Sequence, residues 1–267
     1  MSIIKLYRRV EALEEKMTFN DDAKNYEAYR PGYPRELFQD IIDYSKNPID
    51  NALEIGAGTG QATQYFANTK INITAIDIGE NMVNDLSVKF KDRLNVNCIC
   101  SSFEDYKDGG KKFNLVYSAT AFHWIDAAYG LTKIKSILNE NGVIALFWNH
   151  PFVGRSNDNV HCEIRKVYDK YRPTDKSPKE FSAEDTEKYV NLLNEFGFKD
   201  VKAKLYHRER RFHADEYIGL LNTYSDHRLL PPDIKAAFED DIYKAIMNNG
   251  NEIIVYDTID LYLGRKS

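Results

Sequence analysis

No run of 18 apolar residues occurs in this 267-residue chain, so no membrane-spanning helix is expected. The first residues, "MSIIKLYRRVEALEEKM", have neither a continuous apolar core nor a small-residue cleavage site. That argues against a secretory leader. Cysteine is scarce: Cys98, Cys100 and Cys162 are all there is. An odd, sparse set reads as reduced thiols of a cytoplasmic protein, not as a metal or redox site. Basic excess is missing too. Lys and Arg number 36 against 41 Asp and Glu, a net charge of -5, which argues against a nucleic-acid partner. No cluster of metal-ligating residues, internal repeat or low-complexity tract is found, so no metal is expected.

What is present suits a sizeable core, with 43% hydrophobic and 13% aromatic residues. The length fits one large domain or a domain with an elaborated lid. Ile3, Leu6, Tyr7, Val10 and Leu13 recur at helical spacing, which predicts a short helix in an extension, 1–16, ahead of a single domain over 17–267. "YRPGYP" at 29–34 is a stiffened loop. Pro34 is expected to open a helix that buries Leu37, Phe38, Ile41 and Ile42. From residue 50, apolar strands at 51–56, 71–77, 94–100, 113–120 and 142–149 alternate with helices at 61–67, 80–90 and 127–139. Such alternation implies βαβ units, an α/β fold and a mainly parallel sheet. After Pro151 the rhythm breaks. Residues 155–195 read as helical and polar, 201–212 as a strand, 214–248 as two helices and 252–266 as a final strand. Residues 50–150 are thus the expected binding core. Insertions at 151–195 and 214–248 are expected to cap its carboxyl edge.

An open α/β sheet binds ligands outside the carboxyl ends of its strands. There the chain reads "NALEIGAGTGQATQYFA", with Gly56, Gly58 and Gly60 within five positions after Glu54. A dinucleotide fold wants its last glycine at Gln61, and its absence departs from G-x-G-x-x-G. No Gly-Lys-Ser/Thr follows, which excludes a P-loop. Asp77 ends the second strand, 21 positions after Gly56, where an acidic side chain accepts hydrogen bonds from ribose hydroxyls. "SSFED" at 101–105 ends the third strand, beside Asp77 in a sheet ordered 3-2-1-4-5. Its amides and Phe103 suit a purine edge, and Met82 suits its face.

Glu54-Ile-Gly-Ala-Gly-Thr-Gly60, Asp77, Met82 and Ser102-Phe-Glu-Asp105 together resemble the class I S-adenosylmethionine-dependent methyltransferases. "NYEAYRPGYP" at 25–34 and "AFHW" at 121–124 are similar to the methyltransferase type 11 group that includes trans-aconitate methyltransferase. The resemblance implies a Rossmann-like, seven-stranded, mainly parallel sheet with helices on both faces and the last strand antiparallel. It implies S-adenosylmethionine as cofactor and S-adenosylhomocysteine as product. Tyr29, Arg30, Glu54, Gly56, Ala57, Gly58 and Gly60 would attend the methionyl end. Asp77 and Ile78 would take the ribose. Met82, Ser102, Phe103 and Glu104 would surround the adenine, and Ala119 the sulfonium.

Methyl transfer needs alignment above all. A general base is needed only where the acceptor carries a proton at neutral pH. His123, after the fourth strand, is the candidate base; its rival role is to shape the pocket with Trp124. Trp124, His150 and Tyr224 are the candidate acceptor contacts, with His161, Arg165, Tyr217, His227 and Arg228 elsewhere in the cap. The expected activity is methyl transfer to a small molecule, an organic acid by analogy, in a monomer or homodimer without membrane attachment. The alternative is a silent cofactor-binding sensor or partner subunit. A nicotinamide-dependent oxidoreductase is disfavoured by Gln61.

Overall fold

The computed structural model describes residues 29–30, 32–175 and 177–267. The expected helix at 3–16 and the front of the "NYEAYRPGYP" segment lie outside the described residues. Seven strands form one sheet: β1 (Asn51–Ile55), β2 (Asn72–Asp77), β3 (Val96–Cys100), β4 (Phe113–Ala119), β5 (Leu138–Phe152), β6 (Lys199–Phe212) and β7 (Ile253–Arg265). Their order is β3-β2-β1-β4-β5-β7-β6. Pairing is parallel from β3 to β5, whereas β7 runs antiparallel to both β5 and β6. The inner strands read as continuous apolar runs because helices cover both faces.

On one face, α1 (Arg35–Tyr44), α2 (Thr63–Ala67) and α3 (Glu80–Lys89) bury Leu37, Phe66 and Leu86 against Ala52, Tyr117 and Phe147. Pro34 caps α1 from just outside it, and Ile42 is exposed rather than buried. On the other face, α4 (Ala127–Ile137) and α6 (Glu187–Glu195) pack Leu131, Ile134 and Leu193 against Leu53, Val116 and Leu146. α4 ends at Ile137, two residues earlier than its apolar pattern suggests. Leu138 already pairs with Phe113, and a bulge follows before Val143 meets Leu115.

A third apolar cluster joins α5 (Asn159–Tyr171), α7 (Ala214–Leu221) and α9 (Pro232–Met247) to Val153, Phe212, Ile253 and Val255. Those last residues lie where β5, β6 and β7 run on past the core, since β5 continues five residues beyond the Ala119–Phe147 pair. The extended strands therefore carry the helical cap over the carboxyl edge. Two expectations are corrected here. The 151–195 stretch divides, because α6 belongs to the sheet face and only α5 to the cap. A short helix, α8 (Ser225–Arg228), also interrupts what reads as one helix before Pro231.

The chain runs outward from β1 through β2 to β3, then returns to place β4 on the other side of β1. That reversal opens a crevice at the carboxyl ends of β1 and β4, where doubly wound sheets hold their ligands.

Candidate active site

The loop after β1 folds onto the end of β2. Gly56 N and Ala57 N both donate to Ile76 O, at 2.9 and 3.0 Å. Gly56 has φ +72°, and a Cβ there would lie 2.3 Å from Ala121 Cβ, so the position admits only glycine. Gly60, at φ +90°, packs instead against Leu86 and Phe90. Its close contacts seat α3 beneath the loop. Asp77 ties the loop together: its Oδ2 accepts from Gly58 N and its Oδ1 from Gly79 N, both at 2.8 Å. A carboxylate accepts about four hydrogen bonds, so Asp77 keeps capacity for a ligand's hydroxyls. Burial pushes its pKa up, with the backbone amides of Gly79, Gly58 and Ile78 opposing.

Glu54 is fully buried beneath the same loop. Its Oε2 accepts from Thr63 Oγ1 at 2.6 Å and Tyr117 OH at 2.8 Å, while Oε1 has no hydrogen-bond partner among the described residues. Burial pushes its carboxyl up to about 7, against those hydrogen bonds. An orphaned buried carboxylate oxygen next to a glycine cradle fits a ligand with a cationic end. Glu54 borders a small cavity with Ala57, Gly58, Arg30, Thr120 and Asn149.

This small cavity joins a larger one, of about 260 Å³, through Arg30, Gly56, Gly58, Ala119 and Thr120. Asp77, Ile78, Met82, Ser102, Phe103 and Glu104 line it, and Trp124 and Tyr224 close it. Its far wall is set by Lys133 of α4, which sequence reasoning missed. The Lys133 ammonium donates to the carbonyls of Phe103, Glu104 and Tyr106, at 2.5, 3.1 and 2.9 Å, and lies 4.8 Å from the Phe103 ring centroid. A trans peptide points its N–H opposite its C=O, so the Glu104 amide is turned away from Lys133. Spacing offers no signal for this lysine, which is 30 residues from the loop it organises.

His123 lines the larger cavity beside Trp124. Its Nδ1 accepts from Trp148 Nε1 at 2.9 Å. An indole N–H can only donate, so the lone pair of neutral His123 is on Nδ1 and the proton on Nε2. Protonating Nδ1 would set two N–H groups against each other. His123 is therefore a donor through Nε2, and the general-base reading is corrected by its Trp148 bond. Thr120, also missed, borders both cavities with φ +54°, a strained conformation for a β-branched residue. It is held by Tyr33 OH on its Oγ1 at 2.7 Å and by its own N–H on Phe147 O at 2.8 Å.

The cap supplies the roof. Arg30 donates to Thr223 O at 2.8 Å and lies 4.5 Å from the Tyr224 ring centroid. Behind it, buried Asp257 bridges Arg208 and Arg210, with Arg208 Nη2 at 2.9 Å and Arg210 Nη2 at 2.8 Å. Among these four charged groups, three are cationic and one anionic. Burial raises the Tyr224 phenol, with Arg30 and Arg210 opposing, so it stays a protonated donor at neutral pH. For Asp226, burial is outweighed by His227 and Arg172, which hold its carboxyl well below the usual range.

Three expected residues fall elsewhere. Tyr29 packs against Gly219 in the cap. Gly60 is a packing residue, as above. His150 stacks on Phe181 with centroids 3.9 Å apart, and its Nε2 lies 3.0 Å from Asp260 Oδ2 without hydrogen-bond alignment. It faces the opposite side of the sheet from Asn149, because neighbouring strand residues alternate faces, and it borders a separate cavity.

Comparison with known proteins agrees with this fold. Residues 52–142 match the family model of the methyltransferase domain. An uncharacterised methyltransferase of Schizosaccharomyces pombe is 28% identical over 86% of this chain and 88% of its own. Malonyl-[acyl-carrier protein] O-methyltransferase 1 of Ilyobacter polytropus is 33% identical over 48% of each chain. A solved structure from Anaeromyxobacter dehalogenans, assigned as a type II methyltransferase, superposes with a TM-score of 0.64. It shares 22% identity and covers 89% of this chain and 98% of its own.

Proposed function

We propose, from the premise that this chain is a class I S-adenosylmethionine-dependent methyltransferase, that its acceptor is a small molecule methylated on a carboxylate. When bound, the cofactor supplies a methyl group activated by a positive sulfur. The chain's own residues bind, align and shield. Asp77 has acceptor capacity for the ribose diol, and the Glu104 amide with Phe103 and Met82 suits the purine. Glu54 Oε1 and Arg30 offer opposite charges to the two ends of an amino acid, at the small cavity they share. Tyr224 and Trp124 narrow the larger cavity, which excludes water from the reacting atoms.

The bond from Trp148 to His123 carries the reading. It removes the best-placed base and leaves a donor in its stead. Asp226, the carboxylate of the roof, is already engaged by Arg172 and His227, with Arg172 Nη2 at 2.8 Å and His227 Nδ1 at 3.0 Å. An acceptor that is already ionised needs no base, and a carboxylate is such an acceptor. A donor N–H holds a carboxylate well. The likeness of the "YRPGYP" and "AFHW" segments to trans-aconitate methyltransferases supports the same substrate class.

The test is transfer of a labelled methyl group from S-adenosylmethionine to a panel of mono- and dicarboxylic acids. The expected product is a methyl ester that releases labelled methanol in mild base. Label confined to base-stable products would overturn the carboxylate assignment.

A further inference from the structure

We infer that the acceptor is amphipathic, and that its apolar part lodges in a second chamber beneath the cap helices. The inference rests on the carboxylate reading for the acceptor's polar end. A cavity of about 390 Å³ lies between α5, α7 and the ends of β5 and β7. Phe152, Val153, Ile164, Leu220, Leu221 and Val255 form its body. Tyr224 and Asp226 line both this chamber and the cofactor-side cavity, so the two are separated only by α8 and the turn before it.

Its charged side chains are already paired. Arg165 pairs with Asp169 at 2.6 Å and Lys179 with Asp185 at 2.7 Å. Tyr168 OH bonds His227 Nε2 at 2.8 Å. Groups satisfied among themselves make no demand on a ligand, so the chamber selects for apolar surface. An apolar cleft of several hundred Å³ beside a reaction centre is the form of a ligand site. The position also gives the cap a purpose. The strands that lift α5, α7 and α9 above the sheet edge build a wall of Val and Leu where the nucleoside end needs none.

Straight-chain carboxylates from butanoate to dodecanoate are the probes, titrated by calorimetry with and without saturating S-adenosylhomocysteine. Affinity should rise about fourfold per added methylene until the chamber is full, then level off. Leu221→Trp and Val153→Trp, each filling the chamber from a different wall, should flatten that rise while S-adenosylhomocysteine binds as before. Affinity independent of chain length in the wild type overturns the inference. So does a chain-length dependence that survives whichever variant retains S-adenosylhomocysteine binding. Failure of S-adenosylhomocysteine to bind the wild type would count against the cofactor assignment instead, and the titration without it still decides the chamber.

Discussion

Glu54, next to last in β1, has one oxygen bonded by Thr63 and Tyr117 and the other without a partner among the described residues. Its folded carboxyl titrates near 7, above the ordinary 4.5. The folded chain therefore binds a proton here that the unfolded chain has lost, between about pH 4.5 and 7. Stability falls as pH rises through that window and is flat above it. The loss reaches about 3 kcal/mol, at about 1.4 kcal/mol per pKa unit. Glu54→Gln cannot titrate, so its melting temperature should gain on the wild type from about pH 5 to pH 7 and then level off. Parallel melting curves across that range would refute the burial argument. His123 is tested by His123→Gln, whose amide still donates. Turnover should stay within about tenfold of the wild type with cofactor affinity unchanged. A drop of a thousandfold would restore the general base, whose contribution is typically ~10²–10⁴.

Elements act here through the loops at their ends. The loop after β3 is held from α4: one ammonium gathers three carbonyls and so fixes which way the intervening amides point. Hydrogen bonds to a charged group are worth about 1.5–3 kcal/mol. Lys133→Met should weaken S-adenosylhomocysteine binding by about tenfold or more, read by calorimetry. An unchanged dissociation constant would reduce Lys133 to a surface residue. The glycine loop shows two uses of one residue type. Gly56 allows close approach to Ala121 and borders the cavity, while Gly60 allows α3 to close on the loop from below.

The whole molecule is a sheet that serves two layers. Its middle, β3 to β5, builds the crevice at the carboxyl ends of β1 and β4. Its long outer strands, β5 to β7, rise past that crevice and carry the cap. Ligand bound only to the folded chain stabilises it by about 2.7 kcal/mol at a hundred times its dissociation constant. For a domain of this size that corresponds to a rise of about 5–10 °C in melting temperature. S-adenosylhomocysteine should produce that rise and NADH should not. An equal rise with NADH would bring back the dinucleotide reading that Gln61 disfavours.

Local pattern determined the α/β order, the strand sequence through β5, the glycine loop and Asp77, because period, turn chemistry and an acid at a strand end are written within a few residues. Met82, Phe103, Ala119 and Trp124 line one cavity, and each lies at or after a strand end that the sheet brings to one edge. Only the tertiary structure decided the rest. Lys133 reaches its loop across 30 positions, and Trp148 sets the tautomer of His123 across 25. His150 left the site because one step along a strand reverses the face. α6 left the cap because its apolar stripe met the sheet before it could meet α5. Contacts between distant segments arise from how faces pack, and a single segment does not record which face its neighbour will present.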